Sequence, residues 1–212
     1  MPLAADIGLA YHRRGTHCGV YFTNEHNAIA FVHFGTGITT EDPSNVRFYM
    51  PVQTKILEDE RVALSNFVRH VLRNPRSRSV HYAIYSTAGF SEIGDPIVPS
   101  GSGFTCATFV HQIFSDGLDH PLIVVETLPE ANSANTTWAR EFLAFLKSKF
   151  PMIPAHWAAA SVETIWRRVL PEHVAAAAAF TPHPAEFPQI KKSASSLVSS
   201  LKNMHPQMQW RD

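Results

Sequence analysis

The hydrophobic pattern near the start of the chain predicts a β-hairpin. Residues 17–23 and 28–34 are rich in apolar, aromatic and β-branched side chains, which is typical of strands. The intervening residues 23–27 are polar and suit a turn. Because side chains alternate between the two faces of a strand, His17 is expected on the face opposite Cys18. Cys18 then lies with the apolar side chains and is predicted to be a core thiol.

Farther along the chain, apolar positions recur at helical spacing. Residues 57–72 carry an apolar side chain every three or four positions, and Asn74-Pro75 ends the pattern. The same spacing follows Cys106, over residues 109–114. The other elements predicted from the pattern are a loop over 35–55 with a strand near 46–50, strands over 80–86 and 122–125, a helix from 136 or 137 to 149, a Pro-interrupted helical stretch over 157–179 and an amphipathic segment over 193–202.

Cys106 stands in a setting that suits a nucleophile. Gly101 and Gly103 allow a sharp turn just before it, and Thr105 or Ser102 can cap the helix that follows. At a helix N-terminus the unpaired N–H groups and the helix dipole favour a thiolate over a thiol. The same N–H groups can stabilise an oxyanion on a substrate carbonyl. A buried structural cysteine is the alternative, and the glycine-rich approach to a helix start favours the nucleophile.

His17 is the candidate base for this thiol, since cysteine hydrolases pair a thiol with a histidine that takes its proton. It faces away from the predicted core and can line a cleft, and Gly19 leaves room beside it for another chain or a ligand. An ordinary half-exposed strand histidine is the alternative for His17 considered alone. Its pairing with Cys106 favours the base. His81 leads another predicted strand but lacks a following glycine, so it is the second candidate.

A third polar group normally orients the imidazole of such a pair, and His33 is the candidate. A hairpin with the predicted turn would bring His33 beside His17. A histidine that only forms a hydrogen bond at a strand end is the alternative. Glu25 and its polar neighbours in the turn would lie at the far end of the hairpin. The histidines after Cys106 lie in helical or Pro-rich contexts without a strand motif.

These motifs together resemble a known family. A His-x-Gly-Val-Tyr strand, a second strand with a polar residue and a later cysteine that opens an apolar helix resemble the circularly permuted NlpC-type branch of the papain-like cysteine hydrolases, in which lecithin:retinol acyltransferase-like proteins share the order of His before Cys. The resemblance covers roughly residues 10–115. It implies Cys106 as nucleophile, His17 as general base and His33 as the third polar residue. Ala-Thr-Phe-Val follows the cysteine here, not the Glu-His-Phe of the acyltransferase branch, and this favours hydrolysis.

Composition narrows the possible partners. The chain has 212 residues, of which 45% are hydrophobic, and 18 basic residues balance 18 acidic ones. A neutral chain without basic runs is not expected to bind nucleic acid. Two cysteines do not form a disulfide framework, and the chain lacks the Cys-x-x-Cys, His-x-x-x-His and His-Glu-x-x-His spacings of metal sites. No metal or other cofactor is therefore expected.

The expected fold is α+β. Residues 1–150 are predicted to form a papain-like, permuted NlpC-type core, in which a small antiparallel sheet packs on the helix that carries Cys106. Residues 151–212 are helical and rich in proline, and they are predicted to form an appendage that packs on this core.

The resemblance implies hydrolysis of an amide bond, first of all in peptidoglycan peptides. The N-terminus lacks the pattern of a signal peptide, and no segment has the ~20 apolar residues of a membrane span. We therefore expect a protein made in the cytoplasm and exported as an antibacterial toxin by a dedicated machine such as type VI secretion, with an immunity protein or a component of that machine as partner. The alternatives are a host-directed protease or deamidase, an acyltransferase and a non-catalytic binding module.

Overall fold

The two predicted N-terminal strands form the centre of a five-stranded antiparallel sheet. The structure is a computed structural model, and it describes residues 1–12, 15–46, 48–84, 88–99, 102–149, 167–180 and 182–204. The strands are β1 (Ile7–His12), β2 (Gly15–Thr23), β3 (Ile29–Phe34), β4 (Ile38–Glu41) and β5 (Met50–Val52). Their order across the sheet is β4-β3-β2-β1-β5, and every neighbouring pair is antiparallel.

Strand β2 is paired unequally along its length. Its ladder with β1 covers residues 15–20, whereas its ladder with β3 begins only at Gly19, opposite His33. We call residues 15–18 the open segment of β2 and residues 19–23 its paired segment. The open segment therefore has a hydrogen-bonded neighbour on the β1 side, and its other side lies beyond the β3 ladder.

Five α-helices lie within the described part of the chain, together with a short hairpin. The helices are α1 (Glu58–Arg73), α2 (Cys106–Leu118), α3 (Ser133–Lys149), α4 (Pro171–Ala178) and α5 (Phe187–Met204). The hairpin pairs β6 (Gly89–Phe90) with β7 (Pro96–Ile97). The fold is therefore α+β, as predicted.

One face of the sheet packs on α1, α2 and α4 and forms the core. Cys18, Val20 and Phe22 point to this face from β2, and none of them is more than 2% exposed. Burying a large apolar side chain contributes about 1.5–3 kcal/mol, so this face supplies much of the driving force for folding. The buried side chains that α2 adds beyond Cys106 are Ala107, Phe109, Val110, Ile113 and Phe114.

Helices α4 and α5 fall within the segment predicted as a C-terminal appendage, residues 151–212. Residues 174–178 of α4 are all buried, and they belong to the same core as the sheet and α2. Helix α5 buries Ile190, Ala194 and Leu201 in that core as well. These two helices are thus built into the main core of the described residues.

The sequence pattern located the most regular elements closely. Helix α1 confirms the helix predicted over 57–72, and β2 and β3 confirm the two predicted strands. Strand β1 was not predicted, because its small residues such as Gly8 have weak strand propensity. The loop predicted over 35–55 holds two short strands, and the strand placed near 46–50 was wrong, since β5 begins at Met50.

Two later strand predictions need correction within the described residues. The strand predicted over 80–86 is reduced to a single parallel bridge between Tyr82 and Phe104, and residues 85–87 lie outside the description. The strand predicted over 122–125 is likewise a bridge, from Ile123 to Ala185. Isolated bridges of this kind are fixed by tertiary contacts, which local propensity does not contain.

The predicted helix boundaries also shift. Helix α3 begins at Ser133, because the Asn132 side chain accepts a hydrogen bond from the Asn135 N–H at 3.0 Å and caps the first turn. The predicted stretch over 157–179 is described only from residue 167, and Pro171 begins α4 instead of interrupting a helix. Proline is well suited to a first helical position, where its missing N–H would have no partner inside the helix.

Candidate active site

Cys106 is the first residue of α2, and Thr105 is the cap. The Thr105 side chain accepts the Thr108 N–H at 3.1 Å, while the Thr108 hydroxyl accepts the Thr105 N–H at 2.8 Å. This reciprocal capping box holds the chain in an extended conformation up to residue 105 and starts the helix at the cysteine. Of the two predicted caps, Thr105 is the one used. The Cys106 side chain therefore sits where the helix dipole favours negative charge.

Gly103 is required by a close contact with the backbone of His81, whereas the sequence analysis assigned it to a turn. A Cβ built on Gly103 would lie 2.0 Å from the His81 carbonyl oxygen. The Phe104 N–H donates to that same oxygen at 3.1 Å, and the Ala83 N–H donates to the Phe104 carbonyl at 3.2 Å. The glycine thus permits close contact between two backbones just before Cys106, which no side chain would allow. Gly101 lies outside the described residues.

The start of α2 meets the open segment of β2. The Cys106 thiol is in hydrogen-bond contact with the His17 side chain, and with both the thiol and the backbone N–H of Cys18. His17 and Cys18 lie on opposite faces of β2, so one cysteine can reach both only from the side of the strand. The end of the β3 ladder at Gly19 leaves that side accessible to α2.

His17, His33 and Glu41 form a continuous hydrogen-bonded line. His17 Nε2 lies 3.0 Å from His33 Nδ1, and His33 Nε2 lies 2.9 Å from Glu41 Oε1. His33 is directly opposite Gly19, so His17 is its diagonal neighbour on the same face. The space beside Gly19 is occupied from within the protein, because a Cβ there would lie 2.5 Å from the Val32 carbonyl oxygen and 2.8 Å from the His33 Cβ.

The charges of this cluster support one another. The Cys18 hydrogen bond holds the pKa of the Cys106 thiol well below its usual value, and the His17 charge and hydrogen bond act in the same direction against the cost of burial. Burial acts to lower the pKa of His17, but the Cys106 thiolate and Glu41 outweigh it and raise the pKa above its ordinary value. The geometry therefore favours a Cys106 thiolate beside a His17 imidazolium.

The surroundings of His33 and Cys18 favour the neutral form of each side chain. Burial and the neighbouring His17 charge lower the pKa of His33, although Glu41 opposes them. Burial and the Cys106 thiolate raise the pKa of Cys18 well above its ordinary value, so Cys18 stays protonated. A protonated Cys18 can donate its hydrogen to Cys106, and a neutral His33 can accept one from His17.

A cavity of about 800 Å³ opens beside Cys106, His17 and His33. Its lining is mainly aromatic and aliphatic, which suits an apolar group close to the thiol. A smaller cavity of about 50 Å³ lies along the start of α2 and also reaches Cys106. The apolar side chains that line the larger cavity are Phe34, Val46, Phe48, Tyr49, Tyr82, Trp138, Phe142 and Phe145.

Three contributors escaped the sequence analysis. Glu41 bonds to His33 from β4, a strand that was predicted as loop. Tyr82, which lines both cavities, has a raised pKa because it is buried and close to the Cys106 thiolate. Cys18 was correctly predicted to be buried, but its contact with Cys106 was not anticipated. Residues 38–41, Ile-Thr-Thr-Glu, contain a single apolar side chain, so the sequence held no strand pattern that could have revealed Glu41.

The other candidate residues lie elsewhere. The His81 side chain is exposed and is not among the residues that line either cavity, so the structure brings His17 to Cys106 and not His81. His111, on α2, lies 3.2 Å from the Ile123 carbonyl oxygen through its Nε2. Glu25, in the β2–β3 turn, forms an exposed ion pair with Arg73 at 2.8 Å.

Comparisons with protein-family models, with curated proteins and with solved structures found no match to this chain. Among the residues that the structure describes, no group of three or more His, Cys, Asp or Glu side chains could hold a metal ion. None of the described helices combines the length and apolar character needed to cross a membrane.

Proposed function

We propose that this protein is a papain-like cysteine hydrolase in which Cys106 attacks a substrate carbonyl. The observation that carries the proposal is the line of contacts from Cys106 through His17 and His33 to Glu41, which starts at a capped helix N-terminus. A nucleophile, a base and an orienting group in hydrogen-bond reach of one another are the parts that covalent acyl chemistry requires.

The hydrogen bonds define a consistent placement of protons. Glu41 accepts the His33 Nε2–H, which leaves His33 Nδ1 as the acceptor for the His17 Nε2–H. His17 Nδ1 is then the ring nitrogen that exchanges a proton with Cys106. In the resting enzyme the imidazolium carries that proton and the thiolate is ready to attack.

The reaction proceeds in two steps. The Cys106 sulfur forms a bond to the carbonyl carbon, and His17 donates its proton to the leaving amine as the bond to the amine breaks. Water then attacks the carbonyl carbon of the acyl-enzyme while neutral His17 takes a proton from it. The carbon–sulfur bond breaks, which releases the acid product and restores the Cys106 thiolate beside the His17 imidazolium. The N–H groups of Thr108 and Phe109 are already bound by Thr105. The backbone N–H of Cys106, at the first position of α2, is our candidate donor to the oxyanion.

The first substrate to test is peptidoglycan, whose peptide amide bonds are those implied by the family resemblance. Purified peptidoglycan would be incubated with the protein, with its Cys106→Ala variant and with a Cys106→Ser variant, and the products would be analysed by mass spectrometry. We expect new peptide fragments with the unchanged protein only. Equal product formation by Cys106→Ala would contradict a cysteine mechanism. Toxicity of the protein directed to the periplasm, and its loss in Cys106→Ala, gives a second readout.

The apolar cavity favours a second candidate, in which the substrate is an ester or thioester with a fatty acyl group. The aromatic lining next to the thiol suits an acyl chain better than the polar peptides and sugars of peptidoglycan. A series of acyl esters of increasing chain length distinguishes the two candidates. A specificity constant that rises with chain length supports the acyl substrate, and a constant value across the series contradicts it. If an amine takes the acyl group in place of water, the protein is an acyltransferase.

A further inference from the structure

Cys18 is a buried thiol that the proposed chemistry does not need as a nucleophile. Its side chain has no exposed surface, yet its thiol is in hydrogen-bond contact with the Cys106 thiol. Both cysteines are reduced in the structure. The contact joins the open segment of β2 to the first residue of α2, and the Cys18 backbone N–H also donates to the Cys106 thiol. The thiols therefore meet where α2 packs against β2, within the main core.

The two thiols differ sharply in access to solvent. Cys106 lines both the large and the small cavity, whereas Cys18 is sealed in the core behind it. A small reagent that enters either cavity meets the Cys106 sulfur first. Thiolate character and access together determine which cysteine a peroxide oxidises.

We propose that Cys106 is a site of reversible oxidation by hydroperoxides and that Cys18 is its resolving thiol, so that the two form an internal disulfide. The biological meaning of this regulation rests on the proposed function, because the disulfide would remove the nucleophile. The oxidation itself is measured without any hydrolase substrate.

The chemistry balances in two steps. The Cys106 thiolate attacks one oxygen of the hydroperoxide, an S–O bond forms, the O–O bond breaks, and the departing alkoxide or hydroxide takes up a proton. The Cys18 sulfur then attacks the Cys106 sulfur, the S–S bond forms, and the S–O bond breaks to release hydroxide, which leaves as water with the Cys18 proton. Two thiols lose two electrons, and the hydroperoxide gains them. An external dithiol reverses the change by thiol–disulfide exchange.

The contact also explains why the sulfenic acid would not persist. A neighbour held in position reacts far faster than a second molecule of peroxide from solution, since the encounter is intramolecular. The disulfide therefore competes with further oxidation to sulfinic acid, which thiols cannot reverse. Cys18 itself is buried and out of reach of the peroxide, so it is still a thiol when the sulfenic acid forms on Cys106.

The test uses the full-length chain, fully reduced and dilute enough to prevent links between molecules. It would be treated with a small excess of hydrogen peroxide, blocked with an alkylating agent under denaturing conditions, and examined by intact mass and peptide mapping. We expect a loss of about 2 Da before blocking and a Cys18–Cys106 linked peptide, both reversed by a dithiol. A gain of about 32 Da on Cys106, with Cys18 still open to alkylation, would overturn the proposal.

The matched variant is Cys18→Ser, which preserves the size of the side chain but cannot form the disulfide. We expect no linked peptide in this variant, and excess peroxide should carry its Cys106 past the sulfenic acid to acids that a dithiol does not restore. If the unchanged protein shows the same gain of about 32 Da on Cys106 at the same rate as this variant, Cys18 does not act as the resolving thiol. The outcomes also separate the two proposals. If the linked peptide forms but the reduced protein cleaves no substrate, the proposed function fails and the oxidation stands. If the reduced protein cleaves its substrate but peroxide yields no linked peptide, the oxidation fails alone.

Discussion

The paired segment of β2, residues 19–23, is hydrogen-bonded to β3 along its whole length and to β1 as far as residue 20, whereas the open segment, residues 15–18, has β1 on one side and the start of α2 on the other. Pairing on both sides uses the backbone groups of a strand for the ladder and directs alternate side chains into the core. Where the second partner ends, backbone and side chains are available to another element. In this protein that element begins with Cys106.

The difference teaches that stability and chemistry are divided along a single strand. The paired segment contributes Val20 and Phe22 to the core, which are at most 2% exposed. The open segment contributes His17 and the Cys18 N–H to the cysteine. Substitutions in the two segments should therefore affect different measurements.

The largest effect expected in the open segment comes from His17→Asn. The amide cannot shuttle the proton or carry the charge that stabilises the thiolate, so we expect the turnover rate to fall by about 10²–10⁴-fold. The free energy of unfolding should change little, since His17 is only partly buried and lies outside the core. Steady-state kinetics and urea denaturation of the same preparation check both expectations. If His17→Asn lowered the free energy of unfolding as much as a core substitution does, stability and chemistry would not be divided between the two segments of β2.

In the paired segment, we expect Phe22→Ala to lower the stability of the protein and to leave the reactivity of Cys106 unchanged. The ring is 2% exposed within the core, and its removal should lower the free energy of unfolding by roughly 3–5 kcal/mol. At a temperature where the variant is folded, the alkylation rate of Cys106 should remain close to that of the unchanged protein. Chemical denaturation and timed alkylation measure the two quantities. If Phe22→Ala lowered the alkylation rate of Cys106 as much as His17→Asn does, the two segments would not have separate roles.

Gly19→Ala tests the junction between the two segments. The added Cβ would meet the Val32 carbonyl oxygen at 2.5 Å and the His33 Cβ at 2.8 Å. We expect a loss of about 1–3 kcal/mol in unfolding free energy, because backbone cannot yield as a flexible side chain does. The same clash displaces His33, so the alkylation rate of Cys106 should fall too.

The matched control is Gly37→Ala. A Cβ on Gly37 has no neighbour within 4 Å, and the position has no left-handed backbone. Its stability should stay within about 0.5 kcal/mol of the unchanged protein. Equal losses in the two alanine variants would attribute the Gly19 effect to general glycine replacement and not to the junction.

Glu41→Gln should have the smallest effect of the series. The amide oxygen can still accept the His33 Nε2–H, so the line of hydrogen bonds survives. The Cys106 thiolate still raises the pKa of His17, but the smaller contribution of the Glu41 charge is lost. We expect the alkaline limb of the activity profile to move to lower pH, because His17 would lose its proton sooner. Rates against pH for both proteins measure this shift. An unchanged alkaline limb would show that Glu41 acts through geometry alone.

The alternation of side chains along strands and the helical spacing of apolar residues were sufficient to predict the central hairpin, α1, α2 and the burial of Cys18. These features depend only on residues that are close together in the sequence. Glu41 was missed because a Thr-rich strand at the edge of a sheet has almost no hydrophobic alternation. The contact between Cys18 and Cys106 could not be predicted, since it depends on where the β3 ladder ends. Gly103 was assigned to a turn because a close backbone approach leaves no local signal.

The pH dependence of Cys106 alkylation is the most direct test of the thiolate–imidazolium pair. A thiol whose pKa is lowered keeps its thiolate as the pH falls, so the alkylation rate should decline only well below the ordinary thiol value of about 8.5. In His17→Asn the midpoint should move upward, because one of the stabilising charges is gone. A midpoint at or above about 8.5 in the unchanged protein, or the same midpoint in both proteins, would contradict the proposed activation of Cys106 by His17.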